Sequence, residues 1–349
     1  MKISENIPLK DLTTMRLGGP ARFVITAEFP EELREIYRFA KTGGELSDGK
    51  TTIKSDTPLK IFPLGGGANS IGRDEGYNGI ILKNNFRGIE IIDQTSDEVM
   101  IRASAGEIWD DLVAWTTEHD YSGIEGMSKI PGSVGAAPVQ NIGAYGQEIS
   151  QAIDHVEAFD SKTNEIVTLS NNEMNFGYRR SIFNREEKDR YYITAIIITL
   201  WQDEYLKPPL YDSLQKYLDD NNISDYSPVS IRKAVSTIRA GKLPDPEKIA
   251  SAGSFFKNIV LKTPEEIAEA ESLGIHVFGD QINTGFLLEQ CGLKGKIFHG
   301  FKVSETAALI LMNVSGETHH NLELAKEEIK AAIAKKYPYQ LEQEPVEIK

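Results

Sequence analysis

The chain has 349 residues, 40% of them hydrophobic and 26% charged, with a formal net charge of −14 at pH 7. That length fits two or three domains, and the acidic balance excludes nucleic acid or an anionic membrane as partner, since both need a basic face. A single cysteine, Cys291, excludes an internal disulfide or a CxxC site, and no apolar run reaches membrane length, so a soluble cytoplasmic protein is expected.

In chain order, the first segment, to about Arg87, alternates short strands with one helix over 31–41, where Leu33, Ile36, Tyr37 and Ala40 form an apolar stripe. Residues 42–60 are polar and turn-rich and read as an exposed excursion with no ligand role. Next come a short apolar run ending at Phe62, the turn PLGGGANSI (63–71) and a β-branched run, GYNGIILKN. The turn therefore joins strand to strand. It is not the GxGxxG that opens a helix in a βαβ unit, and no GxxxxGK[ST] loop occurs.

From 88 to 201, strands surround a helix over 107–118, whose Trp109 and Trp115 fall at core spacing. Within this stretch lies IPGSVGAAPVQNIGAYG (130–146), with four glycines and two prolines among small residues and the amide pair Gln140 and Asn141. Glycine lets backbone approach a ligand closely, so its N–H groups can face an anion such as a pyrophosphate; the alternative is a purely structural glycine loop. Two such turns, about 60 residues apart, suit the two phosphates of one dinucleotide. The candidate contacts are Gly65, Gly66, Gly67, Ala68, Asn69 and Ser70 in the first turn, and Pro131, Gly132, Ser133, Gly135, Ala136, Gln140, Asn141, Gly143 and Ala144 in the second.

The third segment begins near Ser230 with a helical window ended by Pro244 and Pro246. Thr263, Pro264 and Glu266 mark a helix start, and the last helix spans about 321–336. His319 and His320 are adjacent with no third ligand at metal spacing and no HExxH occurs, so no metal is expected. Anionic nucleotides would need local cations against the global charge, which singles out Arg179, Arg239, Lys242 and Lys257.

The two glycine turns, with GEIWDDLVAW (106–115), GYRRSIF (177–183), KLPDPEKIASAGSFFKN (242–258) and GFLLEQCGLKG (285–295), resemble UDP-N-acetylenolpyruvoylglucosamine reductases, also called UDP-N-acetylmuramate dehydrogenases, in order and across nearly the whole chain. The resemblance implies an α+β protein: an FAD-binding vanillyl-alcohol-oxidase (PCMH) type fold in two subdomains, 1–87 and 88–229, a C-terminal α/β substrate-binding domain, 230–340, and a tail, 341–349, that returns to the active site. It further implies FAD and NADPH as cofactors, UDP-N-acetylglucosamine enolpyruvate as substrate, and a monomer. Neither turn holds a histidine or cysteine, so a covalent flavin is disfavoured.

By the same resemblance, Arg179 stabilises charge on the substrate carboxylate, Ser254 protonates the intermediate, and a glutamate near the C-terminus completes the set. Glu344 is its best match and Glu342 the rival, because the arginine that usually follows is missing from YQLEQEPVEIK. Substrate contacts fall to Tyr145, Tyr178, Lys242, Asn258 and Gln290, and to Tyr211, matching a loop tyrosine of the longer subclass; packing of Tyr211 on Pro208 and Pro209 is the competing reading. An oxidase of the same fold and a non-catalytic nucleotide-binding relative are the rival functions.

Overall fold

The computed structural model describes residues 1–349 apart from Asp203 and Glu247. It divides into two compact units. The first comprises 1–7, 21–66 and 78–240, and the second 8–20, 67–77 and 241–349.

The first unit is built on two larger sheets. One orders its strands Lys2–Pro8, Pro20–Ala27, Tyr77–Asn84 and Ile61–Pro63, the last pair parallel. The other is antiparallel, in the order Glu165–Ser170, Ile153–Asp160, Tyr191–Gln202, Glu98–Ser104 and Ile89–Gln94. Tyr191–Gln202 is central, which is why its run YYITAIIITLW is apolar on both faces and buried almost throughout. Helix Glu32–Thr42 buries Leu33, Ile36, Phe39 and Ala40, and its Tyr37 ring lies 4.9 Å from that of Phe159. Trp109 is a core residue, donating from its indole to the Met127 carbonyl.

The polar stretch after this helix is a hairpin, Gly44–Ser47 with Thr52–Ser55, rather than an exposed excursion. Its two apolar side chains, Leu46 and Ile53, pair across the hairpin and are buried in the core of the unit, as period-two alternation requires.

The second unit centres on an antiparallel sheet ordered Ala250–Ser254, Ile310–Asn313, Phe301–Val303 and Ile297–Phe298. Helix His319–Ala334 contributes Leu322, Ala325, Ile329 and Ile333 to the core. The start read at Thr263 is present: its side chain accepts from the Glu266 N–H and Pro264 opens helix Pro264–Ser272. Helix Pro228–Lys242, expected to open the third domain, instead buries Ile231, Ala234, Val235 and Ile238 with Leu214 and Leu218 of helix Asp212–Asp220. That packing carries it into the first unit, and the boundary falls after Ala240.

Candidate active site

In the first unit the two glycine-rich turns pack backbone against backbone. A Cβ on Gly66 would lie 3.1 Å from the Cα of Gly132, and one on Gly65 would lie 2.6 Å from the Ser133 hydroxyl. Segment 105–109 holds the second turn in place. Trp109 N donates to the Gly132 carbonyl, Val134 N to that of Glu107, and Gly135 N to that of Ala105. A Cβ on Gly135 would overlap Ala105 at 2.6 Å, so this glycine serves packing. Gly132 differs: its φ is +130° and a Cβ there would meet nothing within 4 Å. A bare Cα facing open space between close-packed turns fits a bulky anion at backbone distance.

Gly132→Ala should therefore cost about 1–3 kcal/mol of backbone strain and leave a folded protein that has lost most of its flavin. Circular dichroism with flavin absorbance measures both. Full flavin occupancy would show that this Cα does not face the phosphates.

Gly67 belongs to the second unit, where φ is +69° and a Cβ would sit 2.1 Å from the Leu12 carbonyl oxygen. Ala68 and Asn69 offer carbonyls to Thr14 Oγ1 and Val346 N, and Ser70 opens strand Ser70–Gly72. Pro131 is exposed, and Ser133, Ala136 and Ala144 are half-buried. Gln140 ends a single 3-10 turn, Pro138–Gln140.

Asn141 was expected to offer its amide to a phosphate, but that side chain is spent within the protein. It is 1% exposed, donates to Glu148 at 2.8 Å and to the Gly177 carbonyl at 3.2 Å, and accepts from Ser150 N at 3.1 Å. It thereby ties the glycine loop to the turn that presents Arg179. In that turn Gly177 and Arg180 exchange both backbone hydrogen bonds at 3.0 Å, so Tyr178 and Arg179 form its two-residue tip. Arg179 has φ +52°, its guanidinium lies 5.1 Å from the centroid of the Tyr178 ring, and Asn184 holds its carbonyl. Arg180, given no role, pairs with Glu186.

Gly143 and Ala144 pair with Glu148 and Gln147 in a hairpin whose tip, Tyr145–Gly146, has φ of +50° and +84°, a type I′ geometry. Tyr145 packs beside the helical core containing Leu214 and Ile238, and the Tyr211 ring meets it edge-on at 5.9 Å and 80°. Tyr211 itself is 53% exposed.

A charge network that no motif announced adjoins this loop. Asp110, in the first turn of helix Trp109–Glu118, accepts both Nη atoms of Arg232 (2.6 and 3.1 Å) and the backbone N and Nζ of Lys129 (both 2.7 Å). Burial pushes the Asp110 carboxyl up, but these bonds outweigh it and hold the group far below the usual carboxylate range. Lys129, immediately before the glycine loop, has φ +61°, and its carbonyl accepts from Arg239 Nη2 at 3.2 Å.

In the second unit the tail pairs with the segment that follows Ser254. Glu344 N donates to the Phe255 carbonyl at 2.9 Å, Phe256 bridges to Gln343, and Lys257 N donates to the Glu342 carbonyl at 2.9 Å. Residues 342–344 thus run antiparallel to 255–257, so Glu344 lies opposite Phe255, the residue after Ser254. Glu342 pairs with Lys257 Nζ. Val346–Ile348 then pairs parallel with Ser70–Gly72, and Glu347 takes Arg73 at 3.0 and 2.6 Å. One tail therefore links the Ser254 strand to the end of the first glycine turn.

Asn258 accepts from Thr284 N at 3.3 Å, at the start of helix Thr284–Gln290, whereas Gln290 is exposed at its far end, about 9 Å along the axis. Lys242 is exposed at the end of its helix, its carbonyl taken by Thr306. His319, Glu323 and Glu347 offer ligand atoms within 4.8 Å of one another, yet Lys326 and Arg73 already neutralise the two carboxylates.

An FAD binding domain model matches residues 21–170, and a model described as UDP-N-acetylenolpyruvoylglucosamine reductase, C-terminal domain, matches 245–348. The chain is 34% identical over 358 residues to the UDP-N-acetylenolpyruvoylglucosamine reductase of Flavobacterium johnsoniae, covering 99% of each. It is 35% identical over 353 residues to that of Aliivibrio fischeri, covering 99% of this chain and 94% of the relative. Among solved structures, the UDP-N-acetylenolpyruvylglucosamine reductase from Thermus caldophilus aligns over 100% of both chains with a TM-score of 0.68 at 22% identity, a likeness of fold.

Proposed function

The chain belongs to the UDP-N-acetylenolpyruvoylglucosamine reductase family, and from that premise we propose that it reduces the enolpyruvyl ether of UDP-N-acetylglucosamine enolpyruvate to the lactyl ether of UDP-N-acetylmuramate, in peptidoglycan precursor synthesis. FAD and NADPH are its cofactors, and the flavin, when bound, supplies the hydride chemistry with NADPH as reductant. The packed turns around Gly65, Gly66 and Gly132 would hold the flavin's phosphates.

What the protein must add is charge stabilisation at the carboxylate and a proton at the carbon bearing the ether oxygen. Arg179 meets the carboxylate with its planar fork as negative charge builds there. Ser254 delivers the proton from its hydroxyl. A serine is a weak acid in water, so it needs a polar partner and a dry wall. Phe255 and Phe256, both buried, follow it directly and are T-stacked at 5.0 Å. The observation that carries the assignment of roles is the pairing of the tail with residues 255–257, which supports Glu344 as the partner and leaves Glu342 committed to Lys257. Tyr145, Tyr178, Tyr211, Lys242, Asn258 and Gln290 would contact the nucleotide sugar.

Glu344→Gln should accordingly lower turnover by about 10²-fold, while Glu342→Gln stays near wild type. Steady-state rates of the two variants decide between them, and the reverse order would move the role to Glu342. No helix among the described residues is long and apolar enough to cross a membrane. The reading carries with it a cytoplasmic monomer serving cell-wall growth and division. A domain order of flavin binding before substrate binding accords with the extents of the two family models.

The test of the whole reading is spectroscopic. The flavin band should bleach on adding NADPH and return on adding the enolpyruvyl nucleotide without oxygen. Return with oxygen alone would favour an oxidase, and bound flavin with no bleaching a non-catalytic relative.

A further inference from the structure

Arg179 must present its guanidinium in one direction, yet its backbone is of a kind that side chains rarely adopt. At φ +52° it occupies the left-handed region, which a residue other than glycine keeps only where its surroundings hold it there. The paired backbones of Gly177 and Arg180 close the turn, and the side chain of Asn184 grips its tip. Asn184 Nδ2 donates to the Arg179 carbonyl at 3.1 Å, while Asn184 Oδ1 accepts from Ser181 N, also at 3.1 Å. Ser181 is fully buried, and its hydroxyl donates to the Val139 carbonyl at 2.6 Å. At the other end of the turn Asn141 Nδ2 donates to the Gly177 carbonyl at 3.2 Å. Residues 139 and 141 of the glycine-rich loop therefore tether the turn at both ends, and Asn184 bridges from one tether to the arginine.

The ordinary task of such an asparagine is to cap. Asn184 ends the short 3-10 turn Ile182–Asn184, and its reach back to Ser181 N is a capping-box arrangement. That task needs an acceptor alone. The Nδ2 bond lies outside it, and it is made to the residue of the turn that is given charge work at the substrate. We propose that Asn184 is a positioning residue for Arg179, its amide fixing the left-handed backbone from which the guanidinium reaches the substrate carboxylate. The inference rests on the role read for Arg179 under the proposed function. An amide supplies a donor for the carbonyl and an acceptor for the N–H at once, whereas a carboxylate is acceptor-only and meets one demand of the two. Through Ser181 and Val139 the same amide ties Arg179 to the loop whose Gly132 would face the flavin's phosphates, so cofactor and carboxylate are held from one frame.

Asn184→Asp separates the two tasks, because its carboxylate still accepts from Ser181 N but sets an oxygen against the Arg179 carbonyl. Flavin per chain and melting temperature should stay near wild type. Bleaching by NADPH should be unchanged, since no substrate carboxylate takes part in that half of the cycle. Reoxidation by saturating enolpyruvyl nucleotide should slow by about 10-fold or more, given that a displacement of about 1 Å at a reacting group can cost about 10²-fold. Asn184→Ala, which adds no charge, should show the same loss. In an Arg179→Lys background Asn184→Asp should slow reoxidation by less than about 2-fold further, because a positioning residue acts only through the group it positions. Reoxidation of Asn184→Asp within about 2-fold of wild type would overturn the proposal and leave Asn184 a cap. So would equal slowing of both halves with a lowered melting temperature, or losses that multiply in the double variant. Wild-type protein that the nucleotide fails to reoxidise, or Arg179→Lys at the wild-type rate, would instead overturn the functional reading, and this proposal with it.

Discussion

Ser254→Ala should split the catalytic cycle, leaving one half intact and slowing the other by about 10²-fold or more, the scale for losing a positioned general acid. Reduction of the flavin by NADPH needs no proton at the substrate carbon, so bleaching should proceed at close to the wild-type rate. Reoxidation by the enolpyruvyl nucleotide should carry the whole defect. Stopped-flow absorbance follows both halves in one preparation. The backbone of this strand is held by partners that alanine keeps: Ser254 pairs with Ile310, and Phe255 N donates to the Leu309 carbonyl at 2.8 Å. Equal slowing of both halves would mean that the serine shapes the pocket, and no slowing would pass the proton to another group such as Glu344.

Arg179→Lys should be almost as damaging, although it keeps the charge. The residue sits at φ +52°, a left-handed conformation that costs a non-glycine residue about 1–2 kcal/mol. Lysine inherits the same backbone cost, so melting temperature should barely move. What lysine cannot reproduce is the fork on the carboxylate, and a loss of about 10²-fold in kcat is expected, as for removal of a donor that stabilises developing negative charge. Turnover near wild type would make Arg179 a bystander. Asn141→Ala offers an independent probe of the same turn, because it removes the amide that donates to the Gly177 carbonyl without touching Arg179.

Local signals were legible in the sequence and non-local ones were not. The stripe in helix Glu32–Thr42, the cap at Thr263 and the central strand Tyr191–Gln202 are written within a few neighbouring residues each, and the structure has all three. Hairpin Gly44–Ser47 and Thr52–Ser55 escaped notice because each arm contributes a single buried apolar residue among polar ones. Strand Ser70–Gly72 was hidden inside a glycine turn because its partner, Val346–Ile348, lies almost at the other end of the chain. The stripe of helix Pro228–Lys242 was visible, but periodicity does not say which core a stripe will join.

The site follows the same division. Motifs pointed to Ser254 and to a choice between Glu342 and Glu344, while the tail's pairing with residues 255–257 is one that no spacing encodes. Asn141 stood where a ligand-facing amide was expected, and its neighbours in space claim it: Glu148 and Gly177 accept from its Nδ2, and Ser150 N donates to its Oδ1.

The parallel strand Val346–Ile348 also dictates an order of events during synthesis. Segments 8–20 and 67–77 of the second unit leave the ribosome early, yet the edge at Ser70–Gly72 has no partner until residue 348 has been made. Much of the first unit, by contrast, can close on residues already translated. The nascent chain must therefore carry an open strand edge and the half-built core around Met15, Leu17 and Ile71 through most of its translation. A ribosome stalled shortly before residue 342 would display a chain able to build much of its flavin-binding half while residues 255–257 still lacked their antiparallel partner.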